Sequence, residues 1–121
     1  IIERTPSCAI IDSSASTHMP DVLEMPYRPH IIDSYPENTE PYTYILGGLT
    51  CLAGDIIGNY SFKSKLTVGD KLVFTDMAHY TMVKTTTFNG LALPSIGIID
   101  KNEKFHIQKE FNYNDFIARL S

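Results

Sequence analysis

The chain has 121 residues, 43% of them hydrophobic and 20% charged, which is enough for one domain with a buried core. Its formal charge of −4, from 14 acids against 10 scattered Lys and Arg, argues against nucleic acid as the main partner. No apolar run approaches the roughly eighteen residues of a membrane-spanning helix, and nothing near Ile1 has the charged-then-apolar layout of a signal peptide.

The opening Ile1-Ile2-Glu3 reads as the start of a piece taken from a longer protein. Strand-like runs then recur at residues 8–11, 31–33, 42–46, 60–62, 71–74, 80–86, 96–99 and 105–107. Turn residues punctuate them: Pro36-Glu37-Asn38, Gly58-Asn59, Val68-Gly69-Asp70, Asn89-Gly90 and Asp100-Lys101-Asn102-Glu103. Short strands at this spacing predict an all-β sandwich or barrel. Residues 21–26 suit one helical turn stopped by Pro26, and four prolines between Met19 and Pro36 demand a long shaped connection. A short C-terminal helix is expected, capped by Asn114 or Asp115, with Phe116, Ile117 and Leu120 on one face.

Four segments carry chemistry. Residues 47–55, Gly-Gly-Leu-Thr-Cys-Leu-Ala-Gly-Asp, form a glycine-rich loop presenting the Cys51 thiol and the Asp55 carboxylate. Glycines let such a loop approach a ligand closely, and a thiol is a serviceable proton donor at neutral pH. Residues 76–90, Asp-Met-Ala-His-Tyr-Thr-Met-Val-Lys-Thr-Thr-Thr-Phe-Asn-Gly, set Tyr80 among hydroxyl residues. A phenol is a stiff donor suited to a phosphate, although most buried tyrosines simply meet backbone. The run from Cys8 to Ser14 reads as a strand ending in an acid, Asp12; Asp-Ser-Ser is also an ordinary turn opener. Residues 18–29 follow as His-Met-Pro-Asp-Val-Leu-Glu-Met-Pro-Tyr-Arg-Pro. Cys51 and Cys8 show neither a CxxC motif nor zinc-type spacing, so no metal site is expected. Reduced thiols are expected, and Cys8 is assigned to the core.

The Gly-x-x-Cys-x-x-Gly-Asp loop, followed by Tyr80-Thr81 ahead of Phe88-Asn89-Gly90, resembles the C-terminal barrel of the pyridoxal-phosphate decarboxylases acting on basic amino acids, the ornithine/diaminopimelate decarboxylase superfamily. The 18–29 string is most similar to the carboxynorspermidine (carboxyspermidine) branch. The resemblance implies a Greek-key-type β-barrel, as in the C-terminal domain of alanine racemase-like enzymes. It makes residues 1–121 the second domain of a two-domain enzyme whose N-terminal α/β barrel, with the cofactor lysine, lies outside this chain.

What it further implies is a cytoplasmic homodimer with shared active sites, removing CO2 from carboxynorspermidine or carboxyspermidine in polyamine synthesis. Tyr80 then binds the phosphate of pyridoxal 5′-phosphate, and Cys51 returns a proton to the carbanion left by CO2. Asp12 and His18 contact the substrate. Asp55 matches a family acid, for ligand contact or for closing the loop. Leu52 stands where ornithine- and diaminopimelate-type enzymes carry an acid, which puts their substrates in doubt. Arg28 is expected to be structural, paired with Glu24 or Asp21. The alternatives are another basic amino-acid decarboxylase, or a free-standing β-barrel that binds a ligand without catalysis.

Overall fold

The computed structural model describes residues 7–120. In chain order they form β1 Ser7–Ile10, α1 Asp21–Glu24, β2 Tyr42–Gly47, β3 Ile56–Phe62, α2 Tyr80–Val83, a 3-10 turn at Phe88–Gly90, β4 Ile96–Ile99, β5 Phe105–Lys109 and α3 Tyr113–Ala118. β2 and β3 are antiparallel, with Tyr44 opposite Tyr60 and Tyr42 opposite Phe62. Their inward side chains, Tyr44, Leu46, Ile57, Tyr60 and Phe62, make most of the core. The Tyr44 and Phe62 ring centroids are 6.1 Å apart.

β1 pairs in parallel with β2, Cys8 opposite Ile45. A parallel neighbour needs a long crossover, and residues 11–41 supply it. This proline-rich connection is ordered because it enters the core: Ala15, Met19, Val22 and Ile31 are all buried in the same cluster. The glycine-rich loop, residues 48–55, is the β2–β3 hairpin connection, entered through a register shift between Leu46 and Gly47.

One stacked arrangement fixes the crossover against β3. Tyr60 is fully buried, and its phenol donates to the Pro29 carbonyl at 2.6 Å. The Arg28 guanidinium lies over the Tyr60 ring, 4.0 Å from its centroid. Arg28 also donates to the carbonyls of Asn59 and Tyr35, both at 2.8 Å. The expected pairing of Arg28 with Glu24 or Asp21 is therefore corrected: Arg28 serves backbone and an aromatic face. The expected turn at Gly58-Asn59 lies inside β3 instead. The glycine is needed there for close approach, since a Cβ on Gly58 would sit 3.2 Å from the Tyr60 ring and 3.6 Å from Arg28 Cγ.

Other expectations change for local reasons. The strands form one three-stranded and one two-stranded sheet, neither of them closed, so the domain is mostly sheet with few helices. Runs 31–33 and 71–74 shrink to a single antiparallel bridge, Ile31 to Phe74. Positive φ at Asp33 (60°) and Asp76 (58°) ends extended backbone soon after each partner. Residues 80–83 are a helical turn and not a strand, closed by Lys84 N–H donating to the Tyr80 carbonyl at 3.1 Å. α3 starts earlier than expected, because Asn112 is its cap; Asn112 accepts from Asn114 N–H, and Asp115 accepts from Asn112 N–H, each at 2.8 Å. Cys8 is exposed on β1 and not in the core. Among the described residues, no helix is long and apolar enough to cross a membrane.

Burial, only partly offset by the Arg28 charge, pushes the Tyr60 phenol from 10.0 up to about 12. The folded state thus favours the neutral phenol, a contribution complete below pH 10 and lost as pH rises toward 12. Tyr60→Phe should cost about 1–2 kcal/mol in urea unfolding of the intact protein, because the buried Pro29 carbonyl loses its donor. It should also remove a step near pH 12 from the phenolate absorbance titration.

Candidate functional site

The β2–β3 loop and the turn at residues 14–16, shortly after β1, are held together by one carboxylate. Asp55 is 5% exposed. Its Oδ1 accepts from the N–H groups of Ala15 at 2.7 Å and Ser16 at 3.3 Å. Its Oδ2 accepts from the Ser14 hydroxyl at 2.9 Å, the Thr50 N–H at 3.0 Å and the Thr50 hydroxyl at 2.6 Å. Burial alone would raise this carboxyl; the donors from Thr50, Ser14 and Ala15 outweigh it and hold the group below its ordinary value. Gly48 must lack a side chain, since a Cβ there would lie 2.6 Å from the Asp55 carboxyl carbon. Of the two roles weighed for Asp55, closing the loop is the one its contacts describe.

Asp12 and Cys51 sit on the two segments so joined. Ile11 N–H donates to the Gly47 carbonyl at 3.0 Å and Leu49 N–H donates to the Ser13 carbonyl at 3.1 Å, so Asp12 is flanked on both sides by bonds to the glycine loop. Both Asp12 and Cys51 are exposed, as is Leu52 at 44%. The thiol and the carboxylate therefore project from one rigid junction.

His18 ties the same segment to the chain beyond α2. Its Nε2 is 2.9 Å from the Ala92 carbonyl and its Nδ1 is 3.0 Å from the Ser13 hydroxyl. A carbonyl only accepts, so in the neutral ring Nε2 carries the proton and Nδ1 accepts from Ser13. Tyr80 opens α2, 71% exposed, and its hydroxyl makes no hydrogen bond among the described residues. An outward phenol with an unused donor fits the binding of an anionic group such as the phosphate of pyridoxal phosphate. Lys84 is committed to Asp21 and Glu24 at 2.7 and 3.0 Å. Sequence reasoning missed Thr50, Ser14 and Lys84 as supports. The Thr50–Asp55 spacing, an acceptor five residues past a hydroxyl in a glycine loop, was the available signal for the first.

Residues 2–78 match the family described as pyridoxal-dependent decarboxylase, C-terminal sheet domain. The chain is 50% identical over 112 residues to a carboxyaminopropylagmatine decarboxylase of Synechocystis sp., covering 93% of this chain and 29% of the relative. It is 42% identical over 130 residues to a carboxynorspermidine/carboxyspermidine decarboxylase of Campylobacter jejuni, covering 98% of this chain and 34% of the relative. The crystal structure of carboxynorspermidine decarboxylase complexed with norspermidine from Campylobacter jejuni superposes with a TM-score of 0.89 at 40% identity, covering 98% of this chain and 35% of that one. The chain thus spans about a third of the length of the proteins it matches.

Asp55→Asn should destabilise the intact protein by about 2–3 kcal/mol, since an amide cannot accept from all five donors. A depressed carboxyl contributes stability above the ordinary carboxylate value of 3.8 and loses it as pH falls below that. Acid unfolding of Asp55→Asn should accordingly be shallower than that of the parent below pH 3.8. Equal acid profiles would show that the junction does not depend on this charge.

Proposed function

Because the chain belongs to the C-terminal sheet domains of the pyridoxal-dependent decarboxylases, we propose that it supplies part of the active site of an enzyme that removes CO2 from a carboxylated polyamine. The observation carrying this reading is the Asp55 junction, which sets an exposed thiol and an exposed carboxylate on one rigid mount. When bound, pyridoxal 5′-phosphate supplies the electron sink for decarboxylation. Tyr80 would help hold the cofactor, its hydroxyl donating a hydrogen bond to the phosphate. Asp12 accepts from an ammonium of the polyamine tail, where partial desolvation strengthens the pair. Cys51 Sγ–H donates the proton that replaces CO2 on the substrate carbon. His18 lines the pocket from the loop that Ser13 and Ala92 hold, and Asp55 serves the site by closing its two loops.

Residues 1–121 act as the second domain of a longer chain, whose first domain carries the lysine that holds the cofactor. Large exposed apolar side chains on β4, β5 and α3, among them Ile99, Phe105 and Ile117, support this division. The closed Greek-key barrel is completed by strands from outside the described residues. The active unit is a cytoplasmic homodimer in which the Cys51 loop reaches the partner's site.

Carboxynorspermidine and carboxyspermidine are the proposed substrates, giving norspermidine and spermidine. The 50% identity to the Synechocystis protein favours carboxyaminopropylagmatine as a second reading. All three join an amino-acid head to a cationic tail, and Leu52 offers no carboxylate to a short diamine acid. The full-length enzyme should release CO2 from one or more of these three compounds, and not from ornithine or meso-diaminopimelate; the reverse pattern would overturn the substrate class.

In that enzyme, Asp12→Ala should raise KM roughly tenfold or more with little change in cofactor affinity. Equal loss of both would disprove the role given to Asp12. Tyr80→Phe should weaken cofactor binding roughly tenfold, read by the absorbance of retained pyridoxal phosphate, with the fold unchanged. Unaltered retention would remove Tyr80 from the phosphate site.

A further inference from the structure

α2 is one turn long, and an isolated turn of four residues does not hold itself in place. Of its residues only Thr81 is buried; Tyr80, Met82 and Val83 are exposed. Core packing therefore does little to fix the direction of the Tyr80 phenol. What fixes α2 comes from the 17–27 segment. Beyond its C-terminal end, Thr86 N–H donates to the Thr17 carbonyl at 2.8 Å. Before its N-terminal end, the Met77 sulfur meets the hydroxyls of Tyr27 at 3.9 Å and Thr81 at 3.6 Å. Between them stands Lys84, which caps α2 and reaches across to α1.

Two features make α1 a suitable anchor. Val22 is 4% exposed and seats the turn in the core. Asp21 and Glu24 are three residues apart, so their carboxylates share one face of the turn. The Lys84 ammonium bridges them, 2.7 Å from Asp21 Oδ1 and 3.0 Å from Glu24 Oε2. The same ammonium lies 6.0 Å from the centroid of the Tyr80 ring.

We infer that Lys84 is the positioning residue for Tyr80: its bridge to Asp21 and Glu24 sets the α2 turn on α1 and so aims the phenol. Lys84 touches neither cofactor nor substrate in this role. The inference rests on the phosphate-donor reading of Tyr80, and it makes the two acids of the 18–29 segment part of the cofactor site at one remove. Substrate affinity then depends on Lys84 less than cofactor affinity does.

The test uses the full-length holoenzyme, with the dissociation constant of pyridoxal phosphate read by absorbance and the thermal midpoint of the cofactor-free protein read in parallel. Lys84→Met keeps the aliphatic stem and removes the charge. Its cofactor dissociation constant should rise roughly threefold to fivefold at low salt, with the difference shrinking as salt screens the bridge. The cofactor-free thermal midpoint should stay at the parent value, and Lys84→Arg should restore affinity. Lys84→Met combined with Tyr80→Phe should be no worse than Tyr80→Phe alone, since both act through one group.

If Tyr80→Phe loses cofactor while Lys84→Met keeps it, the positioning role is wrong and the phosphate reading stands. A lower thermal midpoint for Lys84→Met without loss of affinity would also overturn the role, reducing the bridge to a stabilising contact. If Tyr80→Phe itself keeps cofactor, the phosphate reading fails and the inference falls with it.

Discussion

A carboxylate withdrawn from water is costly unless donors replace its hydration, and Asp55 is the place where this chain meets that demand. With 5% of its surface exposed, it takes hydrogen bonds from Ser14, Ala15 and Ser16 on one side and from Thr50 twice on the other. The first group follows closely on Asp12, just past the end of β1, and the second adjoins Cys51. A single charge therefore joins the turn that follows β1 to the β2–β3 loop. The bare Gly48 and the entry bulge at Gly47 leave room for it.

The crossover between β1 and β2 carries this organisation outward. It is polar and rich in proline, yet Ala15, Met19, Val22 and Ile31 seat it in the core. From that seat, its Asp21 and Glu24 hold Lys84, its Thr17 carbonyl holds Thr86, and its His18 reaches Ala92. Farther along, Pro29 and Arg28 lock onto the Tyr60 ring and the backbone of β3. Groups far apart in the chain thus share one mount, built from hydrogen bonds and ion pairs more than from apolar contact. Such a mount holds in place the backbone that carries the exposed side chains of Asp12, Cys51 and Tyr80, as their proposed roles require.

Strands with a pure local signal were legible in the chain. Residues 42–46 are rich in aromatic and β-branched side chains, and 96–99 and 105–107 flank a turn that Asp100 closes by accepting from Asn102 and Lys104 N–H groups, so each appears as expected. Residues 80–86, with three threonines and a valine, carry strand propensity, but among the described residues no strand pairs with them. Lys84 and the contacts of Thr81 settle it as a turn instead. Gly58-Asn59 has the composition of a turn and lies within a strand, since what matters there is the flat space beneath Arg28 and Tyr60.

By itself the sequence determined the largely β composition, the glycine loop with its thiol, the acid that follows the first strand and the family these motifs resemble. Each of these is a short-range pattern, readable because the chemistry lies within a few residues. Tertiary structure decided which charges meet. Arg28 lies close in sequence to Asp21 and Glu24, yet Pro26 and the stacking on Tyr60 direct it to β3. Lys84, some sixty positions away, takes the two acids instead. Asp55 likewise shows in its local sequence only its Thr50 donors, and the folded approach of the 14–16 turn supplies the second set. Partners brought together by closing long loops leave no periodic trace in the chain, because their meeting depends on the packing of everything between them.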